Sequence, residues 1–256
     1  MLLQSLLVTG SSSGIGAALV PQLAARGCHV VASGRDRERL EQVAASSDLI
    51  VGRTGDLTDP GHRQELVDAL RELPGPRAVV HLAGYFQTGM LDHLDDSSWQ
   101  RSLAVNVEAR WALSIAAREV LDDGGRLLFI GSDAGANPRV GAAAYSIAQA
   151  ASETMRRAFQ AEWAGSGCAV GGFKPGLVDT EMVRGFMSIP EDEFPAKVAY
   201  DAYVSAGRVA AADSVARFAT WLLLDIDADR FASTEWDIRD EIHHEYWAIG
   251  PLYPEV

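Results

Sequence analysis

Cysteine, long apolar runs and basic residues are all scarce in this sequence, and each shortage excludes a class of protein. Two cysteines, Cys28 and Cys168, occur in 256 residues, which is too few for a secreted domain held together by disulfides. Both lie where we predict strands to begin, so we expect buried thiols in a reducing compartment. No apolar run reaches the roughly 20 residues that a membrane-spanning helix needs, and we therefore expect no membrane partner.

The charge balance is strongly acidic. The chain has 22 lysine and arginine residues against 35 aspartates and glutamates, which gives a net charge of −13 at pH 7. This charge disfavours nucleic acid as a partner, and an anionic cofactor would need a local positive group at its site. The first residues also lack the basic start of a signal peptide, so we expect a cytoplasmic protein.

Short apolar runs alternate with segments of helical periodicity along the chain, which is 48% hydrophobic and 22% charged. Strands are predicted at 3–8, 28–33, 48–52, 78–82, 126–130 and 168–173. Helices are predicted near 15–26, 37–46, 59–72, 96–121, 142–164 and 211–224. This alternation is typical of βαβ units, so we predict an α/β protein with a doubly wound parallel sheet and helices on both faces. Since no repeat or linker interrupts it, residues 1–256 are expected to form a single domain.

The first strand is followed by a glycine-rich turn and then by a helical pattern. Gly10, Gly14 and Gly16 have the spacing G-x-x-x-G-x-G, which brings backbone N–H groups and a helix N-terminus together. Such a turn suits the pyrophosphate of a dinucleotide and makes the predicted fold Rossmann-like; a plain tight turn of small residues is the alternative. The other candidate cofactor-binding residues of this turn are Ser12, Ser13 and Ile15.

The end of the second predicted strand bears on the choice of cofactor. An acidic residue there would bind the adenosine ribose, whereas this chain has Gly34 flanked by Ser33 and Arg35. Arginine binds phosphate with two parallel hydrogen bonds, so we predict NADP(H) in preference to NAD(H), with Ser33 and Arg35 as contacts. The alternative is that Arg35 is a solvated arginine at the start of a charged helix.

Two further strand ends carry candidate cofactor contacts. Asp56, with Leu57 beside it, is placed to accept a hydrogen bond from the adenine amino group, or else to form a turn that caps the next helix. Ala83 and Gly84 follow the fourth strand, and their small size allows the backbone to pass close to a ribose. His81 is expected to be a packed strand residue, because no other metal ligand clusters near it.

Three polar residues later in the chain complete the candidate site. Asn106 lies inside a predicted helix with apolar neighbours, which favours an inward role. Ser132 follows the fifth strand, and Tyr145 opens a helix thirteen residues further on. A serine at the carboxyl end of a strand and a tyrosine facing it lie where open α/β sheets bind their ligands.

These elements, in this order and spacing, resemble the short-chain dehydrogenase/reductase family in its compact single-domain branch, over at least residues 3–224. The matching residues are Thr9, Gly10, Gly14, Gly16, Asp56, Ala83, Gly84, Asn106, Ser132, Tyr145, Pro175, Gly176 and Thr180. The resemblance implies a dinucleotide-binding domain that acts on a small carbonyl compound. It also implies a homodimer or homotetramer built on the helices at 96–121 and 142–164.

The resemblance implies a role for each matching polar residue. Tyr145 is implied to be the general acid that protonates a carbonyl oxygen as hydride reaches its carbon, and Ser132 to orient that oxygen. Asn106 is implied to hold a water in a proton relay. The residues implied to wrap the nicotinamide are Pro175, Gly176, Val178 and Thr180.

One position departs from the family pattern. The family has a lysine four residues after the tyrosine, where this chain has Gln149. The lysine's charge lowers the tyrosine pKa and its ammonium binds the nicotinamide ribose, whereas Gln149 can form only the hydrogen bond. A free tyrosine has a pKa of about 10, so we expect Tyr145 to stay protonated, with reduction less impaired than oxidation. Lys174 is a candidate for the missing charge, unless it points to solvent or into an ion pair.

The segment at about 177–208 interrupts the alternating pattern and is predicted to form a substrate loop. It is rich in methionine, phenylalanine, tyrosine and proline, which suits a hydrophobic or aromatic ketone; the alternative is that these side chains only cover the core. Beyond it, 233–240 is predicted to be a strand, and Trp236, Tyr246 and Trp247 are expected to dock on the loop or at a subunit contact. No metal site is predicted.

We therefore predict an NADPH-dependent reductase of a hydrophobic carbonyl compound. The candidate catalytic residues are Tyr145, Ser132, Asn106 and Gln149. The glutamine leaves two alternatives open: an NADP(H)-binding sensor or scaffold without turnover, and an isomerase or dehydratase on the same fold. Candidate residues of the implied subunit contact, which equally fit the core, are Leu113, Phe159 and Trp163.

Overall fold

The computed structural model describes residues 3–121 and 124–253, and its centre is one parallel sheet of seven strands. The strands within these ranges are β1 Ser5–Thr9, β2 His29–Gly34, β3 Ile50–Thr54, β4 Arg77–His81, β5 Arg126–Ile130, β6 Ala169–Lys174, β7 Val178–Asp179, β8 Ala210–Ala211 and β9 Glu235–Asp237. The sheet order is β3-β2-β1-β4-β5-β6-β9, while β7 and β8 pair with each other. The predicted doubly wound, Rossmann-like sheet is confirmed.

Helices cover both faces of this sheet. Within the described ranges they are α1 Gly14–Ala25, α2 Arg37–Ala44, α3 Pro60–Arg71, α4 Asp96–Leu103, α5 Ala109–Ala116, α6 Ala143–Glu162, α7 Glu181–Met187, α8 Lys197–Ser205, α9 Ala212–Leu224, α10 Ala228–Ala232 and α11 His244–Trp247. Successive side chains of a strand point to opposite faces, so β1 contributes to two cores. Leu6 and Val8 pack in the core with α1 and α9, whereas Leu7 packs in the core with α3 and α5.

The glycine-rich turn lies where the strand order reverses. β1 pairs in parallel with β2 on one side and with β4 on the other, so the chain leaves these neighbouring strands in opposite directions. Open parallel sheets bind ligands in the crevice at such a point, beyond the carboxyl ends of the strands. The fold therefore places the segments after β1 and β4 side by side at a natural ligand site.

The helix predicted near 96–121 is present, but it is not a regular α-helix along its whole length. α4 ends at Leu103, a π-helical turn spans Ala104–Glu108, and α5 begins at Ala109. Asn106 lies in this π turn and is fully buried. Such turns widen a helix locally, which here gives a buried amide room to bind the backbone of the loop after β4.

The predicted candidates for a subunit contact lie in the core. Leu113, Phe159 and Trp163 are all buried in the cluster that packs beneath α3 and α5. The apolar side chains that α5 and α6 expose instead are Trp111, Ile115 and Ile147.

The segment after α10 adds the last strand of the sheet. The strand predicted at 233–240 is confirmed as β9, which pairs in parallel with β6. Trp236 and Trp247 do not dock on the predicted substrate loop, because both are buried in the main core beside α9. Trp236 packs edge-on against Trp221 at 5.4 Å, and the largely exposed Tyr246 stacks on the same ring. Indole rings bury a large apolar area, which explains why they lie inside the molecule.

Two negative findings apply to residues 3–121 and 124–253. No helix there is long and apolar enough to cross a membrane. No group of three or more histidine, cysteine, aspartate or glutamate side chains in these ranges is placed to hold a metal ion.

Candidate active site

A cleft of about 320 Å³ opens at the carboxyl ends of the central strands, a volume within the range of small-molecule sites. Its walls are the glycine-rich turn after β1, the loops after β2 to β6, the start of α6, and α7 and α8. The predicted site residues that line it are Gly10, Ser12, Ser13, Gly14, Ile15, Gly16, Ser33, Arg35, Asp56, Leu57, Ala83, Gly84, Ser132, Tyr145, Gln149, Pro175, Gly176, Val178 and Thr180. The cleft thus brings together residues from the whole length of the chain, and Asn106 lies behind its wall.

Backbone crowding explains the glycines of the turn. Gly10 has φ +73° and Gly14 has φ +53°, values that favour glycine over any other residue. A Cβ on Gly10 would lie 2.8 Å from the backbone nitrogen of Ala83, so β1 and β4 approach too closely here for a side chain. A Cβ on Gly16 would collide with the carbonyl of Gly10. The turn is therefore compressed between β4 and the first turn of α1.

The N-terminus of α1 faces the cleft without a side-chain cap. Ser13 is the residue at the cap position, and its side chain forms no capping hydrogen bond. The first N–H groups of a helix lack partners within the helix and carry partial positive charge, which suits phosphate. A Cβ on Gly14 would lie 3.1 Å from the methyl group of Thr180, so a side chain there would narrow this cradle. The residues present fit the diphosphate of a dinucleotide.

The end of β2 has no room for a side chain at residue 34. A Cβ on Gly34 would lie 2.7 Å from the hydroxyl oxygen of Ser12, which excludes an acidic residue at this position. Ser33 is buried, and its hydroxyl shares a 3.1 Å hydrogen bond with Nε2 of His62. Arg35 is exposed, lines the cleft and forms no ion pair with any residue of the described ranges. Its charge is therefore open to an anion.

Asp56 forms a turn and not a helix cap. Its Oδ1 accepts hydrogen bonds from the backbone N–H and the hydroxyl of Thr58 at 2.9 and 2.8 Å, and its Oδ2 pairs with Arg101 at 2.7 Å. Burial raises the pKa of this carboxyl, but the Thr58 hydrogen bonds and Arg101 outweigh that effect and lower the pKa to about 2. The cap of α3 is Asp59, which accepts from the N–H of Gly61, so the capping alternative was wrong for Asp56.

Asn106 holds the wall of the cleft in place from behind. Its Oδ1 accepts a hydrogen bond from the N–H of Tyr85 at 2.9 Å, and its Nδ2 donates to the Tyr85 carbonyl at 2.8 Å. The side-chain amide therefore fixes the loop that carries Ala83 and Gly84. The proton relay implied for Asn106 stays a prediction.

Ser132 and Tyr145 come together in the cleft. Ser132 follows β5 and caps a 3-10 turn by accepting a 3.2 Å hydrogen bond from the N–H of Ala134. The Ser132 side chain lies close enough to the hydroxyl of Tyr145, in the first turn of α6, to lower the pKa of that phenol. A phenol and a second hydroxyl thus meet at one point, as stabilisation of a developing oxyanion requires.

The surroundings of Tyr145 keep its phenol protonated. Burial raises the pKa above its usual value of about 10, because an apolar environment disfavours the phenolate. The charge of Arg110 and the hydrogen bond with Ser132 act in the opposite direction but do not overcome burial, and Tyr200 adds to the rise. At neutral pH this group can therefore donate a proton and cannot accept one.

The position one helical turn after Tyr145 is a buried amide. Gln149 is 3% exposed, lines the cleft, and its Oε1 has no hydrogen-bond partner among the residues that the structure describes. Lys174, the sequence candidate for the missing charge, pairs with Glu235 at 2.9 Å. Of the alternatives for Lys174, the ion pair is therefore confirmed, and Glu235 neutralises its charge.

One end of the cleft is lined by aromatic rings. The ring of Phe86 lies 4.9 Å from that of Tyr145 and 4.8 Å from that of Phe186. Phe186 contacts Tyr200 at 4.9 Å and Phe194 at 5.6 Å. Phe186 and Tyr200 line the cleft, whereas Phe194 is fully buried in a small core beneath them. The segment at 177–208 therefore lines the cleft in one part and covers a small core in another, and its role as a substrate loop stays a prediction.

Sequence reasoning missed two residues of this site, Arg110 and Phe86, which both line the cleft. Arg110 lies one helical turn after Asn106, so the inward face assigned to Asn106 was a signal that could have identified it. Phe86 lies in an irregular loop, where no periodicity distinguishes inward from outward side chains.

Comparison with known proteins gives a consistent result. A family model described as short chain dehydrogenase matches residues 4–189. The 3-oxoacyl-[acyl-carrier-protein] reductase FabG of Escherichia coli is 28% identical over 227 residues, which cover 86% of this chain and 89% of that protein.

Solved structures resemble this chain along nearly its whole length. A short chain dehydrogenase from Burkholderia cenocepacia, in complex with NADP, has a TM-score of 0.79 and 30% identity, covering 92% of this chain and 96% of that one. A variant of the actinorhodin polyketide ketoreductase, solved with NADPH, has a TM-score of 0.79 and 26% identity, covering 92% and 94%.

Proposed function

We propose that this chain, which belongs to the short-chain dehydrogenase/reductase family, is an NADPH-dependent reductase of hydrophobic or aromatic carbonyl compounds. Family membership makes it an NAD(P)-dependent oxidoreductase. The observation that carries the finer proposal is the meeting of Ser132 and Tyr145 in the cleft, between an aromatic wall and an uncapped helix N-terminus.

The protein's own groups perform the proton transfer. A bound dihydronicotinamide would supply hydride to the carbonyl carbon. The electron pair of the C=O bond then moves to oxygen, which takes the phenolic proton of Tyr145, while Ser132 holds this oxygen by a hydrogen bond. Because its pKa is raised, Tyr145 is the phenol at neutral pH, which suits reduction over oxidation. We propose that Asn106 supports the return of a proton from solvent.

The cofactor is proposed to be NADP(H) because of charge and space at the end of β2. Arg35 has no ion-pair partner in the described chain and would bind a 2′-phosphate, and Gly34 leaves no place for the acidic residue that binds an unphosphorylated ribose. The other proposed contacts are Gly10, Ser12, Ser13, Gly14, Ile15 and Gly16 for the diphosphate, Ser33, Asp56, Leu57, Ala83 and Gly84 for the adenosine, and Gln149, Pro175, Gly176, Val178 and Thr180 for the nicotinamide half.

The substrate class follows from the aromatic wall. Phe86 touches the ring of Tyr145, and Phe186 and Tyr200 extend the same surface, so a carbonyl next to an aromatic or other flat apolar group would fit against them. The similar 3-oxoacyl reductase and polyketide ketoreductase support a carbonyl substrate, since their names state such reactions.

Binding and turnover measured on one preparation test this proposal. NADPH and NADH are titrated by fluorescence, and NADPH oxidation is then followed at 340 nm with a panel of aromatic ketones and diketones. We expect tighter binding of NADPH and turnover with some panel members. Tyr145→Phe is the matched control, because it removes one hydroxyl and keeps the ring that packs on Phe86.

The alternatives give different results in the same assay. An NADP(H)-binding protein without turnover would bind the cofactor tightly and oxidise no NADPH across the panel. An isomerase or dehydratase would convert a substrate while the cofactor stays unchanged or absent. Either result would overturn the proposed reduction.

Three further properties belong to this proposal. We infer a homodimer or homotetramer, because α5 and α6 expose Trp111, Ile115 and Ile147. We infer that the whole chain is one dinucleotide-binding domain, in which residues 177–208 cover the substrate. We infer a cytoplasmic location, in keeping with two buried cysteine thiols.

A further inference from the structure

The substitution at Gln149 leaves the reacting phenol without the positive charge that a lysine would provide, and the cleft offers few replacements. Seven lysine and arginine side chains line it in the described chain, and three of them have a carboxylate partner. The pairs are Lys174 with Glu235, Arg239 with Asp133 and Asp237, and Arg101 with Asp56. Their charges are largely neutralised. Of the other four, which are Arg35, Arg110, Arg139 and Arg208, Arg110 is the one whose charge affects the pKa of Tyr145.

Arg110 differs from the three paired residues in its partners. It is 3% exposed, and its guanidinium donates to the carbonyl of Ile130 at 3.2 Å, the hydroxyl of Ser152 at 2.9 Å and the carbonyl of Ala83 at 3.0 Å. All three acceptors are uncharged. No carboxylate of the described ranges pairs with it, and its Nε has no hydrogen-bond partner there.

A buried guanidinium without a carboxylate is costly, because burial removes its hydration and no opposite charge compensates. The cost is visible in Arg110, whose pKa burial lowers to about 10. This value still leaves the group charged at neutral pH. A positive charge kept at such a cost beside a cleft is typical of a functional site and not of a structural one.

The group that Arg110 acts on is the phenol of Tyr145. Both side chains line the same cleft, and Arg110 donates to Ser152, which lies on the same face of α6 as Tyr145 and Gln149. Each of the two groups favours the charged form of the other. The other titratable groups facing this pair do not supply a charge. His81 of β4 is neutral because burial lowers its pKa to about 3, and Tyr200 of α8 is an acid that opposes the phenolate.

We propose that Arg110 is a positioning residue that provides the positive charge beside Tyr145, from α5, in place of the lysine that α6 lacks. A lysine at residue 149 would supply both a positive charge and a contact to the ribose. In this chain Arg110 supplies the charge, and Gln149 occupies the ribose-binding position. Arg110 makes the phenolate of Tyr145 accessible at a lower pH than burial alone would allow. This inference rests on the proposed function only for the catalytic purpose of the charge. The effect of Arg110 on the phenol of Tyr145 exists in the protein without cofactor.

Ultraviolet titration of the phenol in the cofactor-free protein tests this directly. The phenolate absorbance of each variant is followed with pH, and the same curve with Tyr145→Phe added is subtracted to isolate Tyr145. Arg110→Gln is the test variant, because it keeps a hydrogen-bond donor and removes the charge, and Ser152→Ala is its matched control. Ser152→Ala removes one hydrogen bond of the guanidinium without removing its charge. Gln149→Lys is the positive control and should lower the titration midpoint.

We expect Tyr145 to titrate about one pH unit higher in Arg110→Gln than in the parent, which is about a tenfold loss of phenolate at a given pH. Ser152→Ala should titrate like the parent. Equal midpoints for the parent and Arg110→Gln would overturn the proposal.

This experiment distinguishes a folding defect, a failure of the proposed reduction and a failure of the role proposed for Arg110. If Arg110→Gln does not fold by circular dichroism, Arg110→Met replaces it, because an apolar side chain of similar length adds no unpaired polar group at this buried position, and its midpoint must lie above that of the parent or the proposal fails. Because no cofactor or substrate is present, a protein that never oxidises NADPH but shows the expected midpoints would refute the proposed reduction and keep the role of Arg110.

Discussion

Gln149 can form hydrogen bonds but carries no positive charge, and this affects which direction of the proposed reaction is favoured. The amide is buried one helical turn after Tyr145, and burial raises the pKa of that phenol. A phenol that holds its proton can act as an acid in reduction. It is a poor base for oxidation, which needs the phenolate.

Gln149→Lys should therefore favour oxidation over reduction. An ammonium at this position stabilises the phenolate of Tyr145 and lowers its pKa, whereas the phenol needed for reduction is already present at pH 7. We expect the ratio of the oxidation kcat to the reduction kcat to rise about tenfold or more, measured with one alcohol and ketone pair. Gln149→Met, of similar length and without charge, is the control. An equal change in both directions would contradict the electrostatic explanation.

The proposed preference for NADP(H) also depends on a single residue, Arg35. Arg35→Gln should raise the Kd for NADPH about tenfold or more and leave the Kd for NADH unchanged, because the arginine would contact only the 2′-phosphate. Arg37→Gln is the matched control, since Arg37 is a highly exposed arginine two residues away whose Glu41 partner is 4.0 Å distant. An equal loss of affinity for both nucleotides in Arg35→Gln would remove the basis for NADP(H) preference.

Side chains, and not only strand pairing, hold the elements around the cleft together. Asp56 connects the loop after β3 to α4 through Arg101, and Asn106 fixes the loop after β4 through Tyr85. These links act between segments far apart in sequence. They place the adenosine end and the carbonyl end of the cleft in one rigid frame.

The link at Asp56 predicts a dependence of stability on pH. Its folded pKa of about 2 lies below the ordinary value of 3.8, so its contribution is fully present above about pH 4 and is lost as pH falls toward 2. Asp56→Asn should lower Tm at pH 6, and the difference from the parent should shrink between pH 4 and pH 2.5. Because the carboxylate is 37% exposed, added salt should also shrink it. A Tm difference that is constant from pH 6 to pH 2.5 would contradict this role.

The sequence was sufficient for the parts of the fold that depend on local pattern. The alternation of apolar runs and helical segments predicted the parallel sheet, and the spacing of Gly10, Gly14 and Gly16 predicted the turn at the end of β1. The π turn at Asn106 was not predictable, because it depends on a hydrogen bond to Tyr85 from a distant strand end. The burial of Trp236 likewise depends on where α9 packs, which no local periodicity specifies.

The site residues that belong to sequence motifs could be predicted, and the others could not. Ser132 and Tyr145 were identified from strand and helix ends, and the structure brings them into contact. Arg110 was not identified, because an arginine on a helix is usually solvated and only the tertiary structure shows this one to be buried without a carboxylate partner in the described chain. The sequence placed Lys174 near the site but could not show whether its charge is neutralised, since its partner Glu235 is about sixty residues away.

At the scale of the whole molecule, the exposed apolar surface lies partly on α5 and α6. Trp111 is 53% exposed and Ile115 is 46% exposed on α5, and Ile147 is 41% exposed on α6. Large apolar side chains that cluster on one face of a protein often mark a contact between subunits. Two copies that meet through this face would bury all three side chains.

Trp111→Glu should therefore dissociate the proposed oligomer. We expect the molar mass measured by light scattering during gel filtration to fall to that of one chain, 27.5 kDa, at micromolar concentration. Ile242→Glu is the control, because Ile242 is 70% exposed on a different part of the surface. A parent protein that already elutes as one chain, or a Trp111→Glu variant with the parent's mass, would rule out this face as the contact.

The transfer of a labelled hydride tests the proposed chemistry most directly. NADPH in which both hydrogens on C4 of the nicotinamide are deuterium is incubated with a ketone from the panel, and the alcohol is analysed by mass spectrometry. We predict an alcohol with one deuterium on its carbinol carbon for the parent. For Tyr145→Phe we predict the same product at a rate at least about a hundredfold lower, with unchanged NADPH affinity. Unlabelled product, or equal rates for the parent and Tyr145→Phe, would contradict hydride transfer assisted by the Tyr145 phenol.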